Sequence, residues 1–395
     1  MTPVEIGIFG IIVLIVLIVI RIPIGISLLF AAALGSILLT PGGAVPALTT
    51  LGENVMRISL TYALSAALLF ILMGAFISKA RLRLALYHML SYLFGKYRAG
   101  MAVAHIISSV VDLVAPFCVA LVIFGYLSGA YIGQSLLSGL IPGILITIAF
   151  ILAALILALL KPSLVADTRE AQPAPPRGTL KSVFAVLILF FVVFGGLFFA
   201  WFRPTEAAAI GAFLAMVYAA ASRQLSFSGL IETLKHAAVQ IAKTFTLIIG
   251  GGLFGLFMTR SLVIAELSRF TSAADLSTTL LLIIALIIIF AIGLTMDKIA
   301  ALSIITPIFS PILMSPIISG VWLGVLFILT LSIAHLVRPV KKDCLIYSFE
   351  NEDKGIAPQA LMARWPYAIV LTAACIVIIA MPFVVTLLPQ MMFGW

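Results

Sequence analysis

Residues 113–160 read LVAPFCVALVIFGYLSGAYIGQSLLSGLIPGILITIAFILAALILALL, without one Asp, Glu, Lys or Arg. A helix that crosses the ~30 Å hydrocarbon core of a bilayer needs about 20 mostly apolar residues, so this stretch is long enough for two crossings. Its runs of Leu, Ile and Ala lack the two-residue alternation of membrane β-barrel strands. Further uncharged runs cover 22–52, 58–78, 182–202, 299–337 and 365–395. The sequence therefore predicts a bundle of membrane-spanning helices.

The composition supports an integral membrane protein with no soluble domain of any size. Of the 395 residues, 64% are hydrophobic and 9% are charged, and the mean hydropathy is +1.30. A soluble domain carries about 25% charged residues. We predict an all-α polytopic fold with about 10 to 12 membrane-spanning helices, counting broken or re-entrant segments. The net charge of +9 is expected from basic cytoplasmic loops and implies no nucleic-acid partner.

Two basic loops predict the orientation and a division into halves. The loop 79–98 contains five basic residues and no acidic residue, which predicts a cytoplasmic position. The loop 161–181 contains AQPAPPRG, which is typical of a cytoplasmic linker. We expect this linker to separate a first transmembrane repeat (1–160) from a second one (182–395).

A short internal repeat supports this division. The stretches MGAFISKARL (73–82) and FGLFMTRSLV (254–263) match at an offset of 181 residues. The matched pairs are Gly74/Gly255, Phe76/Phe257, Ser78/Thr259 and Lys79/Arg260. Many secondary transporters are built from two halves of inverted topology. If the first copy ends inside and the second outside, the halves are inverted.

Ionisable residues inside apolar runs are costly and mark candidate sites. Asp297 lies between two apolar runs, and two interpretations remain open: a cation or proton site, or a cap of a helix that starts at residue 298. Asp112 lies deep in SSVVDLVAPF, where no capping role is evident, so a functional or paired role is favoured. The four histidines show no metal-ligand spacing, and we expect no metal site.

The stretch Pro204-Thr205-Glu206 predicts a helix start, with Thr205 as the cap and Glu206 in the first turn. Three stretches rich in Gly or Pro predict broken helices: IPG (141–143), IIGGGLFG (248–255) and TPIFSP (306–311). Unwound backbone at membrane depth can line a cavity and bind Na⁺. No GxxxxGK[ST] loop is present, so we expect no nucleotide hydrolysis by this chain.

Six of these stretches together resemble the large membrane subunit of TRAP (tripartite ATP-independent periplasmic) transporters. They are RIPIGISLLFA (21–31), KYRAGMAVA (96–104), SGLIPGIL (138–145), PTEAAAIGAF (204–213), GLTMDKIAAL (293–302) and SIITPIFSPIL (303–313). The resemblance implies an elevator-type carrier of the bacterial inner membrane that imports organic acids such as C4-dicarboxylates or sialic acids. It also implies Na⁺ as the coupling ion, no other cofactor, and two partners, a small four-span membrane subunit and a periplasmic substrate-binding protein.

The sequence departs from the family pattern at two places. After KYRAGMAVAHIISSVVD (96–112), about thirty residues are missing, the size of one re-entrant hairpin. RPVKK (338–342) stands where the family has a TPPVG tip. The remaining candidates for substrate or cation binding are Asp297, Thr306, Asp112 and Arg338.

Three alternatives remain: a scaffold that does not transport, a carrier of another elevator family, and an intramembrane enzyme. The enzyme would need a catalytic constellation at membrane depth, and the sparse polar residues do not supply one.

Overall fold

The computed structural model describes residues 2–97, 99–160, 178–273, 277–314, 318–337 and 365–393. Every regular element in these ranges is helical, which confirms the predicted all-α fold. The first half contains α1 (Pro3–Val19), α2 (Ile24–Leu39), α3 (Ala44–Ser59), α4 (Tyr62–Lys79), α5 (Leu82–Phe94), α6 (Gly100–Ser128), α7 (Ile132–Ser138) and α8 (Leu140–Leu160).

The second half begins with α9 (Thr179–Phe190), which passes through a π-helical turn (Phe191–Gly195) into α10 (Gly196–Phe198). It continues with α11 (Pro204–Ala221), α12 (Phe227–Arg260), α13 (Val263–Ala273), α14 (Thr278–Thr295), α15 (Lys298–Leu313), α16 (Gly320–Val337), α17 (Trp365–Ala380) and α18 (Phe383–Phe393).

Seven helical segments in the described ranges are long and apolar enough to cross a membrane, and α17 with α18, bent by 59°, could form an eighth crossing. The seven are Tyr62–Lys79, Ile132–Leu160, Thr179–Phe198, Pro204–Ala221, Phe227–Arg260, Thr278–Thr295 and Gly320–Val337. Five shorter apolar segments complete the set that the sequence predicted as crossings: Pro3–Val19, Ile24–Leu39, Gly100–Val111, Phe117–Ser128 and Lys298–Leu313. The predicted number of 10 to 12 is reached only when these shorter segments are counted.

The internal repeat of the sequence is also a repeat of the structure. α4 ends at Lys79 and α12 ends at Arg260, 181 residues later. In both copies the second residue after the helix has left-handed backbone, with φ of 49° at Arg81 and 59° at Leu262. The next helix then starts at Leu82 or at Val263, again at the same offset. The sequence match therefore marks the same helix–turn–helix junction in each half.

α4 and α12, which end in the two copies of the repeat, run in opposite directions. Just before α4 begins, Ile58 lies 2.9 Å from the position of a Cβ atom built on Gly252 of α12. At the other end of α4, Lys79 Nζ lies 3.3 Å from Glu232 Oε2, twenty residues earlier in α12. α4 is therefore antiparallel to the second part of α12, its counterpart in the repeat, as an inverted repeat requires. The predicted linker lies largely outside the described residues, and the domain boundaries stay a prediction.

The glycine-rich stretch 248–255 does not break a helix, contrary to the prediction, because α12 is continuous from Phe227 to Arg260. A Cβ atom built on Gly250 would lie 2.8 Å from the carbonyl oxygen of Gly25 in α2. A Cβ atom on Gly251 would lie 2.7 Å from the carbonyl oxygen of Ser303 in α15. Small residues let membrane helices approach closely, so these glycines pack α12 between α2 and α15. IPG and TPIFSP likewise lie inside helices, α8 and α15.

Candidate functional site

In the second half, the stretch GLTMDK contains a two-residue break between two apolar helices. α14 ends at Thr295 and α15 begins at Lys298, and the two residues between them, Met296 and Asp297, have extended backbone. The Met296 N–H closes α14 by donating to the carbonyl oxygen of Ile292, at 3.2 Å. α14 and α15 are therefore joined by a short non-helical segment, the kind of break at which the broken helices of transporters present polar groups.

Asp297 is the N-cap of α15. Its Oδ2 accepts a hydrogen bond from the backbone N–H of Ala300, at 3.3 Å, and the side chain is half-buried. The capping interpretation of the sequence is thereby confirmed. It does not oppose a role in cation binding, because an ionised carboxylate has about four lone-pair sites and this cap uses one.

Lys298 links the start of α15 to α16. Its Nζ donates to Ser332 Oγ at 3.0 Å, and Ser332 Oγ donates to the carbonyl oxygen of Ile328 at 2.7 Å. A cation in the first turn of a helix is disfavoured by the helix dipole, and here the side chain reaches across to α16. Ser332 was not predictable from the sequence, since the contact joins residues 34 positions apart.

α16 forms one wall of the site and is the most enclosed of the described helices. From Gly320 to Leu331 all its residues are buried, and His335 in its last turn is half-buried. A Cβ atom on Gly293, near the end of α14, would lie 2.8 Å from Ala334 Cβ of α16. On another side, Phe327 meets Phe124 of α6 edge to face, with ring centroids 5.6 Å apart. This packing fixes the helix against which the interrupted segment rests.

Thr306 is completely buried in α15, and its Oγ1 has no hydrogen-bond partner among the described residues. The next residue, Pro307, lacks the N–H that would bond to the Ser303 carbonyl in an uninterrupted helix. α15 thus contains one buried hydroxyl, that of Thr306, without a partner among the described residues, whereas the Ser303 carbonyl faces Gly251 of α12.

Thr306 and Asp297 cannot bind the same ion through their side chains. They are nine residues apart on one helix, which at 1.5 Å per residue separates them by about 13 Å. The structure therefore provides two separate groups of polar atoms on α15 instead of one central site.

The structure says less about the other two candidate binding residues, Asp112 and Arg338. Asp112 lies within α6, which runs unbroken from Gly100 to Ser128 through the place where the sequence lacks a hairpin, and its side chain lies outside the described set. Arg338 follows the end of α16 and, with the whole stretch 338–342, lies outside the described residues.

Pro204, Thr205 and Glu206 have structural contacts. Pro204 is the first residue of α11, and Glu206 Oε2 accepts a hydrogen bond from the N–H of Arg203, the N-cap, at 2.9 Å. The prediction for Glu206 is confirmed, and the prediction that Thr205 is the cap is wrong, because the helix starts at Pro204, two residues earlier than that cap would place it. Thr205 Oγ1 instead donates to the hydroxyl of Tyr62 at the start of α4, at 2.8 Å.

The alanines that follow form a close contact between α11 and α4. Six small residues of α11 are buried: Ala207, Ala208, Gly211, Ala212, Ala215 and Ala219. A Cβ atom on Gly211 would lie 2.6 Å from the sulfur of Met73 in α4. The PTEAAA stretch therefore joins an element of the second half to an element of the first half.

A polytopic helical bundle with seven segments long and apolar enough to cross a membrane in the described ranges defines an all-α integral membrane protein. Comparison with known proteins gives the family. The family described as "Tripartite ATP-independent periplasmic transporter, DctM component" matches residues 11–112 and 111–384. This chain belongs to that family, and it is a multi-pass protein of the inner membrane.

Three curated relatives illustrate the family. The sialic acid TRAP transporter large permease protein of Vibrio cholerae is 28% identical over 73% of this chain and 67% of its own length. The 2,3-diketo-L-gulonate TRAP transporter large permease protein of Escherichia coli is 26% identical over 69% of this chain and 64% of its own length. The C4-dicarboxylate TRAP transporter large permease protein of Pseudomonas aeruginosa is 24% identical over 70% and 64%, respectively. The chain thus aligns with about two thirds of the length of these relatives.

A solved structure supports the fold independently. The crystal structure of the Alcanivorax borkumensis YdaH transporter superimposes with a TM-score of 0.55 over 100% of this chain and 99% of that chain, at 16% identity. The two matched segments of the family meet at residues 111–112. This is the position after which the sequence lacks a hairpin and through which α6 continues.

Proposed function

We propose that this chain is the large permease subunit of a TRAP-type secondary transporter that imports a small organic acid, driven by a Na⁺ gradient. The observation that carries the proposal is the interruption between α14 and α15, where Asp297 stands in an otherwise apolar region. An ionisable residue in such a region is costly and is retained where it binds ions or substrate.

The chemistry around the interruption suits a cation and an organic anion. The Asp297 carboxylate and backbone carbonyls are the hard oxygen ligands that Na⁺ takes. Lys298 brings a positive charge to the same segment and uses one of the three donors of its ammonium group on Ser332. Three relatives are named for sialic acid, 2,3-diketo-L-gulonate and C4-dicarboxylates, all of which are organic acids.

Family membership suggests the partners. A tripartite transporter of this family combines the large permease with a small four-span membrane subunit and a periplasmic substrate-binding protein. The substrate-binding protein would deliver the acid to the permease, which would move it across the membrane. This is a role in transport and not in catalysis.

Uptake into proteoliposomes tests the proposal. The chain is reconstituted with the small subunit and the binding protein encoded beside it, and labelled organic acids are offered with an inward Na⁺ gradient. We expect accumulation of one acid class that stops when the gradient is collapsed by a Na⁺ ionophore. An assembled, folded complex that accumulates none of the acids would overturn the proposal and favour a scaffold that binds partners without transport.

A further inference from the structure

α5 is a short helix that lies along the membrane surface. Its 13 residues extend about 20 Å, too short for the ~30 Å hydrocarbon core. Exposed cations flank it on both sides, Arg81 immediately before it and Lys96 two residues after it. Both charges reach water or headgroups only if the helix lies close to the plane of the interface.

One face of α5 packs on the protein and the opposite face is uncovered. Leu82 and Ser91 are buried where the helix packs against α6 and α9. Leu84, His88 and Tyr92 are exposed and follow one another at helical spacing. Leucine and tyrosine on an exposed face, beside charged residues, are typical of a helix at the level of lipid headgroups.

The end of α5 adds an aromatic and cationic pair. Lys96 Nζ lies 5.1 Å from the centre of the exposed Tyr97 ring. An ammonium group held on an amphipathic ring keeps its charge at the interface while the ring remains among the acyl chains. We call the residues Arg81, Leu84, His88, Tyr92, Lys96 and Tyr97 the α5 surface.

The charge of the α5 surface is uncompensated. Lys79, just before it, is paired with Glu232 of α12. Arg81 and Lys96 form no ion pair with any other residue that the structure describes, and the stretch 79–98 contains no acidic residue. This arrangement leaves two cations to face the membrane.

The corresponding helix of the other half differs in this respect. α13 follows the same junction in the inverted repeat, and its Arg269 NH1 lies 3.5 Å from Glu266 Oε2. The one basic residue of α13 is therefore paired with its one acidic residue. α4 ends beside Glu232 and α12 ends at Arg260, so α5 and α13 lie towards opposite ends of α12, and of these two helices α5 carries the net positive charge. The positive-inside rule places α5 at the cytoplasmic leaflet.

We propose that the α5 surface binds anionic phospholipids in the cytoplasmic leaflet, one headgroup at each end of the helix. Arg81 and Lys96, about 20 Å apart, each bind the phosphate of a separate lipid, while Leu84, Tyr92 and Tyr97 lie against the glycerols and the upper acyl chains. The proposal concerns lipid sites at the edge of the bundle and is independent of the transported substrate.

Lipid binding by the purified full-length chain in an uncharged detergent tests this. The dissociation constants of a fluorescent phosphatidylglycerol and of a phosphatidylcholine with the same acyl chains are measured at low and high NaCl. Each cation near an anionic surface contributes a factor of about five in affinity, so Arg81→Gln should weaken phosphatidylglycerol binding at its end of α5 about fivefold. Lys96→Gln should do the same at the other end, and the double variant should weaken both sites. Phosphatidylcholine binding should not change, and the difference between the lipids should decrease with salt.

The matched control is Arg260→Gln with Arg269→Gln, which removes two charges around the equivalent junction of the other half. Size-exclusion profiles and thermal unfolding identify variants that fail to fold, and Arg81→Lys with Lys96→Arg, which keeps both charges, should bind as the wild type does. Equal losses in the test and control variants, or no preference of the wild type for phosphatidylglycerol, would overturn the proposal. So would inorganic phosphate binding with the same affinity and the same loss in the variant.

Discussion

The carbonyl oxygen of Ser303 lies 2.7 Å from the position that a Cβ atom would occupy on Gly251. This carbonyl lacks its usual helical donor because Pro307 has no N–H, and the α12 backbone lies against it. The Cα–H group of a glycine can approach a carbonyl at such a contact, and a side chain cannot. This contact joins α12, the glycine-rich helix, to α15, the helix that Asp297 caps.

Gly251→Ala should destabilise the protein by about 1–3 kcal/mol, because the new methyl group meets backbone atoms of Ser303 that cannot rotate away. The midpoint of thermal unfolding in detergent should decrease by several degrees. Gly143→Ala is the matched control, since a Cβ atom on this helical glycine meets nothing within 4 Å. A Gly251→Ala variant as stable as Gly143→Ala would show that the two helices are not in this contact.

Ser332→Ala should lower the free energy of unfolding by about 1–2 kcal/mol, because it removes the oxygen that accepts a hydrogen bond from Lys298 Nζ within the bundle. In a Lys298→Met background the same substitution should have little further effect, since the interaction is already absent. Ser109→Ala controls for the loss of a helical serine, because Ser109 Oγ donates to the His105 carbonyl of its own helix. If the losses of stability from the two substitutions were additive in the double variant, the hydrogen bond between Lys298 and Ser332 would be contradicted.

Tyr62→Phe should lower stability by about 1 kcal/mol, because the buried Thr205 hydroxyl loses its acceptor. The effect should disappear in a Thr205→Val background, which removes the other partner of the same hydrogen bond. A double-mutant cycle in detergent-solubilised protein measures this. A coupling energy near zero would mean that the starts of α4 and α11 are not joined by these two hydroxyls.

Glu232→Gln should change stability by less than about 1 kcal/mol, because its ion pair with Lys79 lies in a largely solvated position. The small effect should decrease further as salt is raised. Gln224→Ala should lower the free energy of unfolding by more than Glu232→Gln does. With its nitrogen directed towards the end of α4, the Gln224 amide donates to the carbonyl oxygens of Ala80 at 3.0 Å and Lys79 at 3.2 Å. The opposite order of the two effects would contradict this description of the junction.

The sequence predicted the helical class and the repeat because both depend on local pattern. Long uncharged runs in a membrane can only be helices here. The match of Lys79 with Arg260 in the sequence marked the junction that the two copies of the repeat share. The position of Asp297 at a helix start was also visible, since aspartate is a common N-cap and an apolar helix follows it.

Other features depend on tertiary packing and were not predictable. Gly251 looked like a helix breaker, yet a closely packed neighbour keeps α12 continuous. Thr205 looked like a cap, because Thr and Pro are both common at helix starts and the sequence does not determine which residue begins the helix. Ser332 gave no signal, because its importance comes from Lys298, which lies far from it along the chain.

Na⁺-driven uptake by Asp297→Asn, compared with wild type in the reconstituted complex, tests the central claim most directly. Asparagine caps a helix about as well as aspartate, so the fold should persist while the negative charge is lost. We expect unchanged thermal stability and a loss of uptake of about tenfold or more, with Glu266→Gln on the exposed helix α13 retaining full activity. Uptake by Asp297→Asn equal to that of wild type would show that Asp297 only caps α15, and would contradict its assignment to the transport site.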